Sequence, residues 1–88
     1  MNKTLKQLRT DIDQIDEELI SLFAKRIDVV KKIGEVKKAM GKEIVDHERW
    51  QEVLEKIQKK AEKLKINSLF ITKLYELIHH HSQEIENK

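Results

Sequence analysis

The sequence contains no cysteine and no proline, and only two of its 88 residues are glycine. The absence of cysteine excludes disulfides and thiolate metal sites. Because proline and glycine are the strongest helix breakers, their scarcity favours long uninterrupted helices. No run of about 18 or more apolar residues occurs, which excludes a membrane-spanning helix of the usual kind. Aromatic residues make up only 5% of the chain and charged residues 39%, so one copy can build only a small core.

Chain length and charge balance narrow the class of protein further. A chain of 88 residues allows one domain, spanning 1–88. A domain this short buries only about 60% of its unfolded surface, so we expect a second copy to add burial. The formal net charge of +2 is too small and too evenly spread to indicate nucleic-acid binding. The N-terminal residues lack the apolar stretch of a signal peptide, and we expect a cytoplasmic protein.

Residues 5–40 are predicted to form one long helix with a coiled-coil seam. Apolar residues recur there in alternating steps of three and four. Arg26 is the one seam position in this stretch that is not apolar. At about 1.5 Å per residue the helix is about 54 Å long, so a single small domain cannot cover it and we expect a homodimer. The apolar seam residues are Leu5, Leu8, Ile12, Ile15, Leu19, Leu22, Val29, Ile33, Val36 and Met40.

Two shorter helices are predicted to follow the long one. Gly41 is expected to end the first helix in the left-handed conformation. Asp46 is a good N-cap for a second helix, predicted over 46–65, and Asn67 or Ser68 can cap a third helix, predicted over 68–86. The predicted fold class is therefore all-α.

Three cationic side chains lie on or beside the apolar face of the long helix. Arg26 and Lys37 are separated by a rise of about 16 Å and a rotation of about 50°, so both can reach one pocket. Arg9 lies about 25 Å from Arg26 and reaches such a pocket only from a second copy packed antiparallel. Two cationic sites would result, each suited to a small dicarboxylate. The alternative is an interhelical salt bridge or a polar residue that sets the register.

The three consecutive histidines do not indicate a metal site. On a helix His79, His80 and His81 point about 100° apart and cannot converge on one ion. We interpret them as surface or partly packed residues and predict no metal. Ser68 and Ser82 have no His or Asp partners at a recognisable spacing, so the sequence gives little support to nucleophilic catalysis.

Several short segments together match a known pattern, and all three arginines of the chain fall within it. With these segments the chain resembles the all-helical class of chorismate mutases over nearly its full length. The resemblance implies an intertwined homodimer of three-helix chains with two shared sites. It also implies the cofactor-free Claisen rearrangement of chorismate to prephenate, a step of aromatic amino-acid biosynthesis. The segments are Leu8-Arg9 with Ile12, Ile15-Asp16 and Leu19, Ala24-Lys25-Arg26, Ile33-Gly34-Glu35-Val36-Lys37, Asp46-His47-Glu48-Arg49, Ile71-Thr72-Lys73-Leu74-Tyr75, and Ser82.

The resemblance assigns roles to seven residues. It implies that Arg26 and Arg9 of the partner subunit clamp the substrate carboxylates. It implies that Lys37 donates to the ether oxygen and a carboxylate, so that Arg26, Lys37 and Glu86 are the expected catalytic residues. The other implied contacts are Arg49 to a carboxylate, Asp46 to a hydroxyl or the backbone, Ser82 as a polar contact on the third helix, and Glu86 near the ether oxygen.

Three positions depart from the family pattern. Trp50 occupies the position where the family often has a Glu that contacts the substrate hydroxyl. Val45 stands where some members have Arg, and Glu86 stands where Gln is frequent. The change at Trp50 keeps open a related substrate, either 4-amino-4-deoxychorismate or isochorismate, the latter with elimination of pyruvate. A non-catalytic helical dimer is a further alternative, and it predicts that Arg9, Arg26 and Lys37 pair only with acidic side chains.

Overall fold

The computed structural model describes residues 2–88 as three helices and the short segments that join them. They are α1 (Leu5–Met40), α2 (His47–Lys63) and α3 (Ser68–Glu86). No strand occurs among these residues, so the predicted all-α class is confirmed. None of the three helices is long and apolar enough to cross a membrane.

The end of α1 depends on a glycine, as the sequence predicts. Gly41 has a φ of 68°, in the left-handed region that side chains with a Cβ rarely adopt. The amides of Gly41 and Lys42 donate to the carbonyls of Lys38 and Lys37 over 3.2 and 2.8 Å, which satisfies the last turn. This end matters for the site because it fixes Lys37 in the final turn of the helix.

The second helix is shorter than the predicted range 46–65. Asp46 caps the helix, as predicted, and its Oδ1 accepts a hydrogen bond from the amide of Arg49 over 3.0 Å. At the other end Lys65 adopts a φ of 58°, which stops the helix. The amide that follows Lys65 donates to the carbonyl of Ala61 over 2.8 Å and closes the turn. The sequence offered no glycine or asparagine at this position, so the stop was missed.

The third helix lies between the other two and contacts both. Its contact with α1 lies in the second half of that helix, where Val30 and Gly34 are buried. Its contact with α2 accompanies the burial of Ala61, the one buried residue of that helix. It also includes a hydrogen bond of 3.2 Å from Gln58 Nε2 to Thr72 Oγ1. This arrangement places one wall of α3 against the second half of α1 and the start of α2.

The seam of α1 is not covered by its own chain. All ten apolar seam residues are exposed, by 42% at Ile33 to 63% at Leu5. The molecule measures 58 × 24 × 15 Å. Its radius of gyration is 16.6 Å, whereas a compact chain of this length would have a radius of about 12 Å. One chain therefore has a small packed part and a long uncovered apolar arm.

Candidate active site

A cavity of about 240 Å³ lies where the second half of α1, the start of α2 and the end of α3 meet. Its walls combine apolar side chains, such as Val30 and Ile33, with charged groups from all three helices. Six of the seven side chains predicted to form a site line this one cavity, although they come from distant parts of the sequence. They are Arg26, Lys37, Asp46, Arg49, Ser82 and Glu86.

Arg26 is held in the cavity by Ser82. The guanidinium Nη1 donates to Ser82 Oγ over 2.6 Å, and the hydroxyl donates in turn to the carbonyl of Ile78 over 2.8 Å. Ser82 is only 7% exposed, so this relay is a fixed part of the wall. A guanidinium has five N–H donors and the bond to Ser82 uses one of them. The others can bind a carboxylate in two-pronged fashion.

Lys37 and Glu86 form a shielded ion pair at the other end of the cavity. Lys37 Nζ lies 2.6 Å from Glu86 Oε1, and the two side chains are 19% and 10% exposed. The ammonium also donates to the carbonyl of Ile44 over 2.9 Å, which ties α1 to the loop before α2. Although the ion pair is short, Oε1 accepts no well-aligned hydrogen bond from the described residues. The pair is therefore a charge contact whose geometry leaves the ammonium able to turn toward an anion.

Gly34 allows Glu86 to approach Lys37. A Cβ on Gly34 would lie 2.9 Å from the Cα of Glu86 and 3.2 Å from its carbonyl oxygen. The first of these distances is shorter than real Cβ atoms essentially ever show, and the second is unusually tight, so any larger residue would push the end of α3 away from α1. The close crossing at Gly34 thus places the carboxylate in the wall.

The rim of the cavity carries Asp46 and Arg49. The carboxylate of Asp46 caps α2, as its N-cap prediction expects. Arg49 Nη1 pairs with Glu52 Oε2 over 3.2 Å, and both side chains are about 60% exposed. An ion pair so open to solvent contributes little free energy, so Arg49 can exchange it for a ligand carboxylate at small cost.

Arg9 does not line the cavity of its own chain. It is exposed on the first half of α1, about 25 Å along the helix from Arg26. Its predicted part in the site of a partner subunit stays a prediction.

Trp50 and His79 form a contact that sequence reasoning missed. Their rings stack with centroids 4.1 Å apart and an interplanar angle of 12°, and both residues line the cavity. His79 is half-buried whereas His80 and His81 are exposed, which agrees with their interpretation as surface or partly packed residues. The sequence did indicate that His79 could line the site. It lies three residues before Ser82 and seven before Glu86, and so shares their helix face.

Burial lowers the pKa of His79 below its ordinary value. The positive charge of Arg26 and the neighbouring His47 and His80 lower this pKa further, while Glu86 opposes them. The imidazole is therefore neutral at neutral pH. Among residues 2–88 no group of three or more His, Cys, Asp or Glu side chains is close enough to hold a metal ion.

The arrangement is suited to binding a small anion and holding it in one orientation. Its cations stand on different helices, and two of them are fixed by contacts with a hydroxyl and a carbonyl. Among residues 2–88 Arg26 bonds to a hydroxyl, whereas Lys37 pairs with the carboxylate of Glu86. Fixed donors in a partly dry cavity can stabilise charge that develops during a reaction.

Comparisons with known proteins agree with this interpretation. The sequence pattern of the family described as chorismate mutase type II matches residues 8–87. The T-protein of Haemophilus influenzae is 42% identical over 66 residues, which are 75% of this chain and 18% of that protein. The bifunctional chorismate mutase/prephenate dehydratase of Aquifex aeolicus is 45% identical over 53 residues, 60% of this chain and 15% of that protein. The chorismate mutase of Methanocaldococcus jannaschii is 25% identical over 88 residues, 100% of this chain and 89% of that protein. The chain thus spans less than a fifth of the first two relatives.

Proposed function

The chain belongs to the chorismate mutase type II family, and from this premise we propose that it isomerises chorismate to prephenate in the cavity described above. The observation that carries the proposal is the convergence of six predicted site residues on one cavity. The wall offers candidate groups for binding a carboxylate and for stabilising developing charge.

The charges of the cavity suit a substrate with two carboxylates. Arg26, Lys37 and Arg49 supply three positive charges, and Asp46 and Glu86 supply two negative ones, which leaves one net positive charge. Chorismate carries two carboxylates and therefore two negative charges. A further cation would balance the second negative charge of the substrate, and we propose Arg9 of a partner subunit as this cation.

The rearrangement needs orientation and charge stabilisation rather than a nucleophile. Holding the substrate in its compact conformer places the reacting carbons side by side, which removes much of the entropic barrier. Negative charge grows on the ether oxygen as its bond to carbon breaks, so a fixed donor there stabilises the transition state more than the ground state. Lys37 is the donor we assign to this oxygen, and Arg26 holds a carboxylate.

We propose that the active form is an intertwined homodimer with two shared sites. The chain exposes 7763 Å² of surface, whereas a folded monomer of 10.5 kDa exposes about 5,400 Å². The excess is about 2,300 Å² per chain, which is in the range that obligate dimers bury. The uncovered seam of α1 is the surface that supplies this area.

The direct test is the loss of chorismate absorbance in the presence of the purified protein. We expect conversion by the wild type and a strong loss of activity in Arg26→Ala, because the carboxylate clamp is removed. Arg49→Ala should lower activity less, since Arg49 is exposed at the rim. Absence of conversion by a folded wild-type dimer would overturn the proposed function.

A second candidate substrate follows from the position of Trp50 in the cavity wall. An indole stands there instead of the carboxylate that often reads the hydroxyl in the family, so a related compound could be the true substrate. The same assay run with 4-amino-4-deoxychorismate and with isochorismate separates these possibilities. A higher kcat/KM for either compound than for chorismate would favour it.

A further inference from the structure

We infer that His79, held by its stack on Trp50, is the residue that recognises the uncharged hydroxyl of the substrate. The inference rests on the proposed function and adds a specificity-determining residue to it. The stack joins α2 to α3 across the cavity wall, with 4.1 Å between ring centroids.

Other polar groups of the cavity are engaged elsewhere. Ser82 accepts from Arg26 and gives its proton to the carbonyl of Ile78. Asp46 caps α2, and Glu86 pairs with Lys37. His79 takes part in none of these contacts.

The chemistry of the ring fits a hydroxyl. A neutral imidazole has one donor and one acceptor nitrogen, and a hydroxyl both donates and accepts. Burial lowers the pKa of His79, and so do Arg26 on α1, His47 on α2 and His80 on α3, whereas Glu86 on α3 raises it. The net effect keeps the ring neutral. A neutral ring also leaves the carboxylates of the substrate to Arg26 and Lys37. Stacking on the flat indole limits rotation of the imidazole, so Trp50 is a positioning residue.

The test compares chorismate with an analogue that lacks only the ring hydroxyl. The wild type should favour chorismate in kcat/KM, and His79→Leu should reduce that preference by about tenfold, the effect of one neutral hydrogen bond. His79→Gln should restore part of the preference because its amide keeps a donor and an acceptor. Trp50→Leu should reproduce the loss and Trp50→Phe should keep most of the preference. His80→Leu, on the exposed neighbour, is the matched control and should not change it.

A spectroscopic measurement checks the stack without activity. Trp50 is the only tryptophan, and a protonated imidazole quenches a stacked indole. Fluorescence of the wild type should therefore fall as His79 becomes protonated at acidic pH, and His79→Leu should lack this step. An identical titration in the variant, or equal losses toward both substrates in His79→Leu, would overturn the inference while leaving the proposed function intact. If the wild type does not convert chorismate, the proposed function fails and this inference fails with it.

Discussion

The two halves of α1 carry the same apolar pattern but have different surroundings. In residues 5–22 every side chain is exposed except Asp11, which is half-buried and pairs with Lys3 over 2.7 Å. In residues 23–40 the helix packs against α3, and Val30 and Gly34 are buried there. The second half therefore has neighbours from its own chain, and the first half has none that cover it.

This difference indicates how one helix serves two purposes. In the second half one face of the helix builds the cavity, where Arg26 on the seam and Lys37 beside it line the wall. In the first half the same side of the helix carries Arg9 and is exposed to solvent in a single chain. If two copies pack antiparallel along the seam, the first half of one copy runs beside the second half of the other. The uncovered half then becomes the missing wall of the partner's site.

A charge in the seam of the first half should have the largest effect. Ile15→Glu would bury an unpaired carboxylate in the proposed interface, at a cost of several kcal/mol, and should abolish the dimer and its fold. Gln14→Glu adds the same charge one residue away on the solvated face and should leave both intact. Sedimentation and circular dichroism measure the outcome. A stable folded monomer of the wild type at micromolar concentration would contradict the account.

A change in the second half should damage chemistry and not assembly. Lys37→Ala removes the proposed donor to the ether oxygen and should lower kcat by about 10²-fold or more. Lys38→Ala removes the next ammonium along the helix, which is exposed, and serves as the control. Steady-state kinetics separate the cases, since an unchanged kcat with a raised KM would assign Lys37 to uniform substrate binding.

The two glycines offer a comparison within the second half itself. Gly34→Ala should cost about 1–3 kcal/mol of unfolding free energy by overpacking the crossing with α3. It should also lower kcat, because the displaced end of α3 carries Ser82, which holds Arg26. Gly41→Ala strains the left-handed cap but meets no atom within 4 Å, so it should lower stability and spare kcat. Urea unfolding at one fixed protein concentration, together with kcat, checks both changes. Equal kcat losses in the two variants would contradict the role of Gly34.

The smallest effect is expected at Glu86. An ionised carboxylate cannot donate a hydrogen bond, and it would repel the negative charge that develops on the ether oxygen. Glu86→Gln offers an amide donor and no longer pairs with Lys37, so it should raise kcat at neutral pH by about tenfold or less. Equal kcat values for the wild type and the variant would place Glu86 outside the reaction.

Local patterns explain which features could be predicted from the sequence. The bounds of α1 follow from its apolar spacing and from Gly41, and both were predicted. The end of α2 was predicted less well, because Lys65 adopts a left-handed backbone conformation that is rare for a lysine. Arg26 and Lys37 could be predicted as site residues because burying an unpaired arginine or lysine costs free energy. Such a residue on or beside an apolar face therefore indicates a partner or a ligand.

The contacts between helices could not be predicted in the same way. The stack of Trp50 on His79 and the crossing of Gly34 with Glu86 join residues far apart in sequence. Each depends on the angle and distance at which two helices meet, and no spacing within one helix determines these quantities. Periodicity placed His79, Ser82 and Glu86 on one face, but only the packed structure shows what that face contacts.

Mixing two inactive variants tests directly whether Arg9 of one chain and Arg26 of the other belong to one site. Arg9→Ala and Arg26→Ala homodimers each lack one cation in both sites and should be nearly inactive. After the two are unfolded and refolded together, a mixed dimer has one site that lacks both cations and one site that lacks neither. We expect activity to return in the mixture, up to about a quarter of the wild-type rate, because random pairing makes about half of the dimers mixed and each mixed dimer has one intact site. No recovery, with mixed dimers shown to form, would mean that Arg9 and Arg26 do not meet across the two chains.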